Sequence, residues 1–152
     1  MAYWLFKTEP SECSIDDFVK APDKPIVWEG VRNYQARNML RDKVQHDDLV
    51  FIYHSSCKII GIAGIARVVA SAYADPSQFD NTSVYFDGKS SPDVPRWVAV
   101  DVIFVEKFPH IISLDKLKSS AKLNELPAVQ KGSRLSVMPV TPEQWQTILQ
   151  LG

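Results

Sequence analysis

The segment from Trp28 to Arg41, WEGVRNYQARNMLR, gathers an indole, a glycine, three arginines, two asparagines and a tyrosine within one turn and the start of one helix. An aromatic face stacks a flat ring such as a nucleobase for roughly 1–3 kcal/mol. Arg32, Asn33 and Tyr34, directly after Trp28, offer the donors and acceptors that read the edge of such a ring. The same tryptophan, at a strand end before Glu29 and Gly30, is also what a core plug looks like, and the residue types leave both readings open.

Three further sets carry polar chemistry. Tyr53-His54-Ser55 ends an apolar run, but a histidine and a serine with no acidic third partner in sight make a weak triad; they suit a rim of hydrogen-bonding groups beside a pocket. Lys7-Thr8-Glu9, with Ser11, follows the first apolar run and could touch a polar ring or a phosphate, or be solvated loop. Arg96 and Arg134 stand at strand starts, and Arg37 and Arg41 on one helix face, where they could track a phosphate backbone or be surface charge. The acidic residues Glu9, Glu12, Asp16, Asp17 and Glu29 are not gathered by a D-x-D or H-x-E pattern, so the usual signature of a metal-dependent nuclease is missing.

Bulk properties narrow the field. With 152 residues, 45% apolar and 23% charged, the chain has the size and composition of one ordinary globular domain, residues 1–152, able to bury a core without metal or disulfide staples. No continuous apolar run approaches the length of a membrane span, and MAYWLFKTEP lacks the basic start and apolar stretch of a signal peptide; the expectation is a cytoplasmic monomer. Cys13 and Cys57 cannot complete a four-ligand site alone, and His46, His54 and His110 show no ligand spacing, so no metal and no cofactor is expected. A net charge of −1 argues against wide neutralisation of a duplex backbone, and confines any nucleic-acid contact to a pocket.

The elements that must position these groups follow from pattern. Tyr3 to Phe6 reads as a strand ended by Pro10, and Ser14 caps a short helix carrying Ile15, Phe18 and Val19. Ile26 to Trp28 is a brief strand. From Asn33, an N-cap, a helix puts Ala36, Met39, Leu40 and Val44 on one face and Tyr34, Arg37, Asn38 and Arg41 on the other. Leu49 to Tyr53 is a buried strand, reached through the acidic turn Asp47-Asp48. Ile59 to Ala72 is a long one, interrupted by Gly61 and Gly64 where a bulge or close backbone approach is expected. Asn81 to Pro95 is loop. Arg96 to Phe108 is strand, with Val98, Val100, Val102 and Phe104 facing the core. Ser113 to Ser119 is a short helix with Leu114 and Leu117 inward, Arg134 to Met138 is a last strand closed by Pro139, and Thr141-Pro142-Glu143-Gln144 opens a helix packed through Trp145, Ile148 and Leu149. Five or six strands with four or five short helices, and no Gly-rich phosphate loop, fit an α+β barrel of largely antiparallel strands rather than a doubly wound sheet.

Six stretches in order, YWLFKTEPSECSIDDF, VWEGVRNYQARNML, DDLVFIYHSSC, GIAGIARVV, PRWVAVDVIFV and SRLSVMPVTPEQW, resemble the EVE domain family, a PUA-like family related to YTH and ASCH domains. The resemblance spans essentially the whole chain, with a departure at Asp47, where the family usually has glycine, and another at Ile60. It implies a PUA-like pseudobarrel and a non-catalytic module that binds a modified base in DNA or RNA. It places Trp28 at the aromatic wall, Lys7, Thr8 and Glu9 at the end of the first strand, Val31, Arg32, Asn33 and Tyr34 on the adjoining turn, and Tyr53, His54 and Ser55 on the opposite rim. The alternatives are a nucleotide- or nucleic-acid-processing enzyme using His54 with a nearby carboxylate, and a protein-interaction domain using the Arg37 and Arg41 face.

Overall fold

The computed structural model describes residues 1–152. Six strands, β1 (Tyr3–Thr8), β2 (Ile26–Trp28), β3 (Leu49–His54), β4 (Gly61–Ala74), β5 (Val98–Ser113) and β6 (Val137–Val140), form one sheet in the order β2-β5-β4-β3-β1-β6. Four helices, α1 (Ile15–Lys20), α2 (Tyr34–Asp42), α3 (Leu114–Lys118) and α4 (Pro142–Leu151), and three short 3-10 turns pack around it. This is the expected α+β pseudobarrel, with one strand pair parallel and the others antiparallel. No helix is long and apolar enough to cross a membrane.

Both faces of the sheet are covered, which explains why the strands read as continuous apolar runs. Successive side chains on a strand point to opposite faces. Trp4 and Phe6 of β1, with Val50 and Ile52 of β3, therefore join Phe18, Trp28, Leu40, Val100 and Val102 in one core. Leu5, Phe51 and Tyr53 join Leu117, Met138, Trp145 and Ile148 in a second, beneath α3 and α4. Stacking of Phe51 on Trp145, with ring centroids 3.7 Å apart, ties α4 to the sheet. Leu149, expected to pack there, is exposed on the far side of that helix.

The caps form as their chemistry predicts. Asn33 Oδ1 accepts from the Ala36 N–H at 2.9 Å. Asp17 accepts from the Ser14 N–H at 2.8 Å, and Thr141 and Gln144 satisfy each other's backbone N–H groups in a capping box. Close approach is also real at the two strand glycines: a Cβ on Gly61 would collide with the Ile112 carbonyl oxygen, and one on Gly64 with that of Glu106. The β4–β5 register shifts between these positions, the bend that lets a long two-stranded ribbon curl.

Three features depart from expectation. β1 and β3 pair in parallel; α1, β2 and α2 lie between them and supply the long crossover that a parallel pair requires. Pro139 lies inside β6 rather than closing it, opposite Trp4; β6 is an edge strand, where a missing N–H on the outer side costs no ladder bond. Asp48, read as part of a turn, is only 2% exposed. It accepts from the Ala2 N–H, Trp4 Nε1–H and Gln45 N–H at 2.8–2.9 Å, clamping the N-terminus to the start of β3.

Candidate nucleic-acid interface

A cleft of about 760 Å³ opens where the C-terminal end of β1 meets the turn after β2. Trp28 lines it but is only 6% exposed, because its ring packs on Phe6 with centroids 5.4 Å apart. The two readings of this tryptophan are thus compatible: most of the indole is core, and one margin is cleft wall. Ile26, Val27 and Val31 continue the apolar surface.

A second aromatic, Tyr85, also lines the cleft, delivered by the long loop between β4 and β5. Its phenol donates to the Glu12 carboxylate, whose two oxygens lie 2.6 and 2.7 Å away. Burial and the bonded carboxylate push the Tyr85 pKa up to about 12. The ring rests so closely over Gly30 that a Cβ there would stand 2.6 Å from it, and Gly30 has the left-handed φ of +84° that favours glycine.

Arg32 fixes this arrangement. Its Nε and Nη2 both donate to the Tyr85 carbonyl, at 3.2 and 2.7 Å. Nη1 donates to the Val31 carbonyl and to Asp75 Oδ2, each at 3.0 Å, and Nη2 also reaches Ser77 Oγ at 3.1 Å. All five N–H groups of the guanidinium are therefore engaged inside the protein. Asp75 is fully buried and also accepts from the Gly30 N–H at 2.8 Å. The turn that carries Trp28 and the loop that carries Tyr85 are sewn together through one ion pair.

A π ladder extends the seam. The Arg32 guanidinium lies 5.2 Å from the Trp97 ring and 5.4 Å from Tyr85. Tyr34 stacks on Trp97 at 4.8 Å, and Arg37 covers Tyr34 at 4.8 Å while its Nη1 donates to the Arg96 carbonyl at 2.9 Å.

Of the residues the sequence singles out, Lys7, Thr8, Glu9, Trp28, Val31, Arg32, Asn33, Ser55 and Arg134 line the cleft. Tyr34 does not; it is part of the ladder. Tyr53 sits in the second core beneath Lys7, whose Nζ is 5.5 Å from its ring. His54 is buried and faces a separate hollow of about 340 Å³ with Asp16 and Lys107. Its Nε2 accepts from the Ile15 N–H at 3.1 Å, and burial lowers its pKa. That lone pair anchors α1, and His54 lies outside the cleft that Glu9 and Glu29 line. Arg41 pairs with Asp42 at 2.8 Å, and Arg96 Nη1 stands 3.9 Å from Asp87; neither lines the cleft.

Tyr85 is not among the residues the sequence singles out, Gly30 figures there only as a neighbour of Trp28, and Glu12 and Glu29 only as possible acids and bases. The glycine before Val31 was the available signal, because a left-handed turn beside an aromatic invites a close neighbour. Nothing local marks Tyr85.

The cleft electrostatics are mixed. Glu9, Glu12, Asp17 and Glu29 face Lys7, Arg32 and Arg134. Burial, with Asp75 nearby, raises the Glu29 pKa. Burial lowers that of Lys7. Cys13 is held as the thiol, burial chiefly pushing its pKa up to about 11, so it is no thiolate nucleophile. Thr8 Oγ1 donates to the Cys13 carbonyl at 2.9 Å, leaving its lone pairs to accept. The surface is rich in acceptors and suits the amino group of a base.

Comparison with known proteins gives a consistent result. The EVE domain family model matches residues 2–151. Thymocyte nuclear protein 1 of Mus musculus is 38% identical over 165 residues, covering 98% of this chain and 73% of that protein. A crystal structure of a Pseudomonas putida protein superposes with a TM-score of 0.95 at 54% identity over 99% of each chain. The crystal structure of human THYN1 protein in complex with 5-methylcytosine-containing DNA superposes with a TM-score of 0.89 at 36% identity, covering 99% of this chain and 97% of that one.

Proposed function

We propose, from the premise that this chain belongs to the EVE domain family, that it is a nucleic-acid-binding module holding a modified base of the 5-methylcytosine class in the cleft between Trp28 and Tyr85. The observation that carries this reading is the cleft itself: two aromatic side chains from distant segments bound a cavity of about 760 Å³, in a chain whose structural relative was crystallised with 5-methylcytosine-containing DNA.

In this reading the base lies along the exposed margin of Trp28, with Tyr85 bounding its other side. The Thr8 hydroxyl and the carboxylates of Glu9 and Glu29 accept from its exocyclic amino group, and the Asn33 amide, whose oxygen already caps α2, donates from its nitrogen. Ile26 and Val31 offer apolar contact to a methyl substituent. Stacking contributes about 1–3 kcal/mol, comparable to the few kcal/mol needed to extrude a base, so single-stranded or weakly paired sites bind better than intact duplex. Arg32 is a positioning residue, since its donors are all used within the protein. We assign no reaction to the site.

A thermal-shift screen of modified and unmodified nucleosides and short oligonucleotides tests the proposal, because a ligand that prefers the folded state raises the unfolding temperature. 5-Methylcytosine-containing single strands are expected to shift it more than unmodified ones; no shift with any modified strand would overturn the reading.

A further inference from the structure

A base accounts for only part of the cleft, whose volume of about 760 Å³ is that of a pocket for a drug-sized ligand. The remainder is organised by the sheet. β1 and β3 run parallel, so their C-terminal ends lie side by side, and β6, antiparallel to β1, begins at that same end. The Lys7 N–H donates to the Ser136 carbonyl at 2.8 Å and the Ser55 N–H to the Thr8 carbonyl at 2.9 Å. One shoulder of the cleft is thereby built from Lys7, Ser56, Ser133, Arg134 and Ser136.

This shoulder holds two cations that have no ion-pair partner. The seven ion pairs of the molecule use neither Lys7 nor Arg134, whereas Arg32 in the same cleft is paired with Asp75 at 3.0 Å. Lys7 is half-buried, its ammonium over the Tyr53 ring at 5.5 Å. Withdrawing an unpaired ammonium from water is costly, and burial correspondingly lowers its pKa. An anionic ligand group offsets that cost. Of the cleft carboxylates, Glu12 is already bonded to the Tyr85 phenol and Asp17 to the Ser14 N–H.

We propose that Lys7 and Arg134, with the hydroxyls of Ser133 and Ser136, form a phosphate subsite that binds the phosphodiester attached to the inserted nucleotide. The subsite rests on the base-pocket reading and extends it from a base to a nucleotide. Lys7 contributes a fixed ammonium, and Arg134, which is exposed on the approach to β6, closes on the oxygens with its planar fork. A nucleic acid is then recognised by one phosphate beside one base, consistent with a chain of net charge −1.

Calorimetric titration of the full chain with 5-methyl-2′-deoxycytidine and with its 5′- and 3′-monophosphates tests this. One monophosphate should bind about tenfold more tightly than the nucleoside. Lys7→Gln and Arg134→Gln should each erase most of that advantage, Lys7→Arg should keep it, and Lys122→Gln, outside the cleft, should change nothing. With a single-stranded oligonucleotide, the slope of log K against log salt should fall by about 0.7 for each phosphate that a variant no longer neutralises. Equal binding of nucleoside and monophosphates overturns the subsite and leaves the base pocket standing. A monophosphate advantage that survives both substitutions overturns the residue assignment. Failure of the nucleoside, the nucleotides and the oligonucleotide to bind overturns the pocket and the subsite together. Thermal unfolding of each variant reports whether it is folded, and the exposed Arg134 carries the test if Lys7→Gln is not.

Discussion

Arg32 Nη1 stands 3.0 Å from Oδ2 of Asp75, a carboxylate with no exposed surface. This pair joins the turn that bears Trp28 to the loop that bears Tyr85, and the same carboxylate oxygen takes the Gly30 N–H. The aromatic residues of the cleft are thus held in place by a side chain that keeps no free donor to turn into it.

Removing that cation should therefore be costly. Arg32→Ala leaves Asp75 buried without its counter-charge and is expected to destabilise the protein by about 3 kcal/mol. Arg32→Lys should recover little, because an ammonium cannot reproduce five donors in a planar fork. Urea unfolding midpoints measure the loss. Hydrogen exchange should quicken along residues 83–87 in either variant; unchanged protection there would show that the loop is held by other contacts.

Gly30→Ala probes the same junction from its other side. Both the left-handed φ and the 2.6 Å approach to Tyr85 oppose a side chain, and a loss of about 1–3 kcal/mol follows from the backbone conformation alone. Tyr85→Ala in the same chain should relieve the steric part and leave the backbone part. A Gly30→Ala protein as stable as the parent would mean that the turn relaxes freely.

Tyr85 should titrate late. Its pKa is pushed from 10.0 up to about 12, so the folded state holds the phenol proton more tightly than the unfolded chain. Its contribution to stability is full below pH 10.0 and is lost as the pH rises through about 12. Absorbance of tyrosinate, taken as parent minus Tyr85→Phe to remove the other tyrosines, should show this late transition. Glu12→Gln should shift it down; an unmoved transition would show that the carboxylate does not hold the phenol.

His54 works in the opposite sense. Burial depresses its pKa below 6.5, so the folded state prefers the neutral ring that accepts from Ile15. The resulting stability is full above pH 6.5 and is lost as the pH falls through the depressed folded value. The unfolding temperature should fall on acidification below that point, and less so in His54→Gln. An identical acid limb in the variant would assign the loss to other groups.

Much of this framework is written in local pattern, and its limits have a physical cause. The caps at Ser14, Asn33 and Thr141, the strands read at Leu49 to Tyr53 and Arg96 to Phe108, which the structure carries on to His54 and Ser113, and the close approaches at Gly61 and Gly64 each depend on neighbours a few residues away or on periodicity. Trp28, Lys7, Thr8, Glu9 and Asn33 could be picked out because a strand end and an adjoining turn are visible in sequence. The roles of Arg32 and Tyr85 could not, since their contacts cross 43 to 73 residues and the loop that carries Tyr85 has no periodic signature. The parallel β1–β3 pairing was hidden for the same reason: an apolar run does not disclose the direction of its partner. His54 and Tyr53 looked like rim because strand ends face solvent on average, yet the covered second face of the sheet draws Tyr53 inward and α1 takes the histidine lone pair.

The central claim is that Trp28 forms a wall for a modified base. Calorimetric titration of a short single strand carrying one 5-methylcytosine, against the parent and against Trp28→Leu, tests it most directly, with circular dichroism confirming that the variant is folded. The parent should bind the modified strand more tightly than an unmodified one, and Trp28→Leu should weaken binding by about tenfold or more, the equivalent of a lost base stack. Equal affinity of a folded Trp28→Leu protein and its parent for the modified strand would contradict the account.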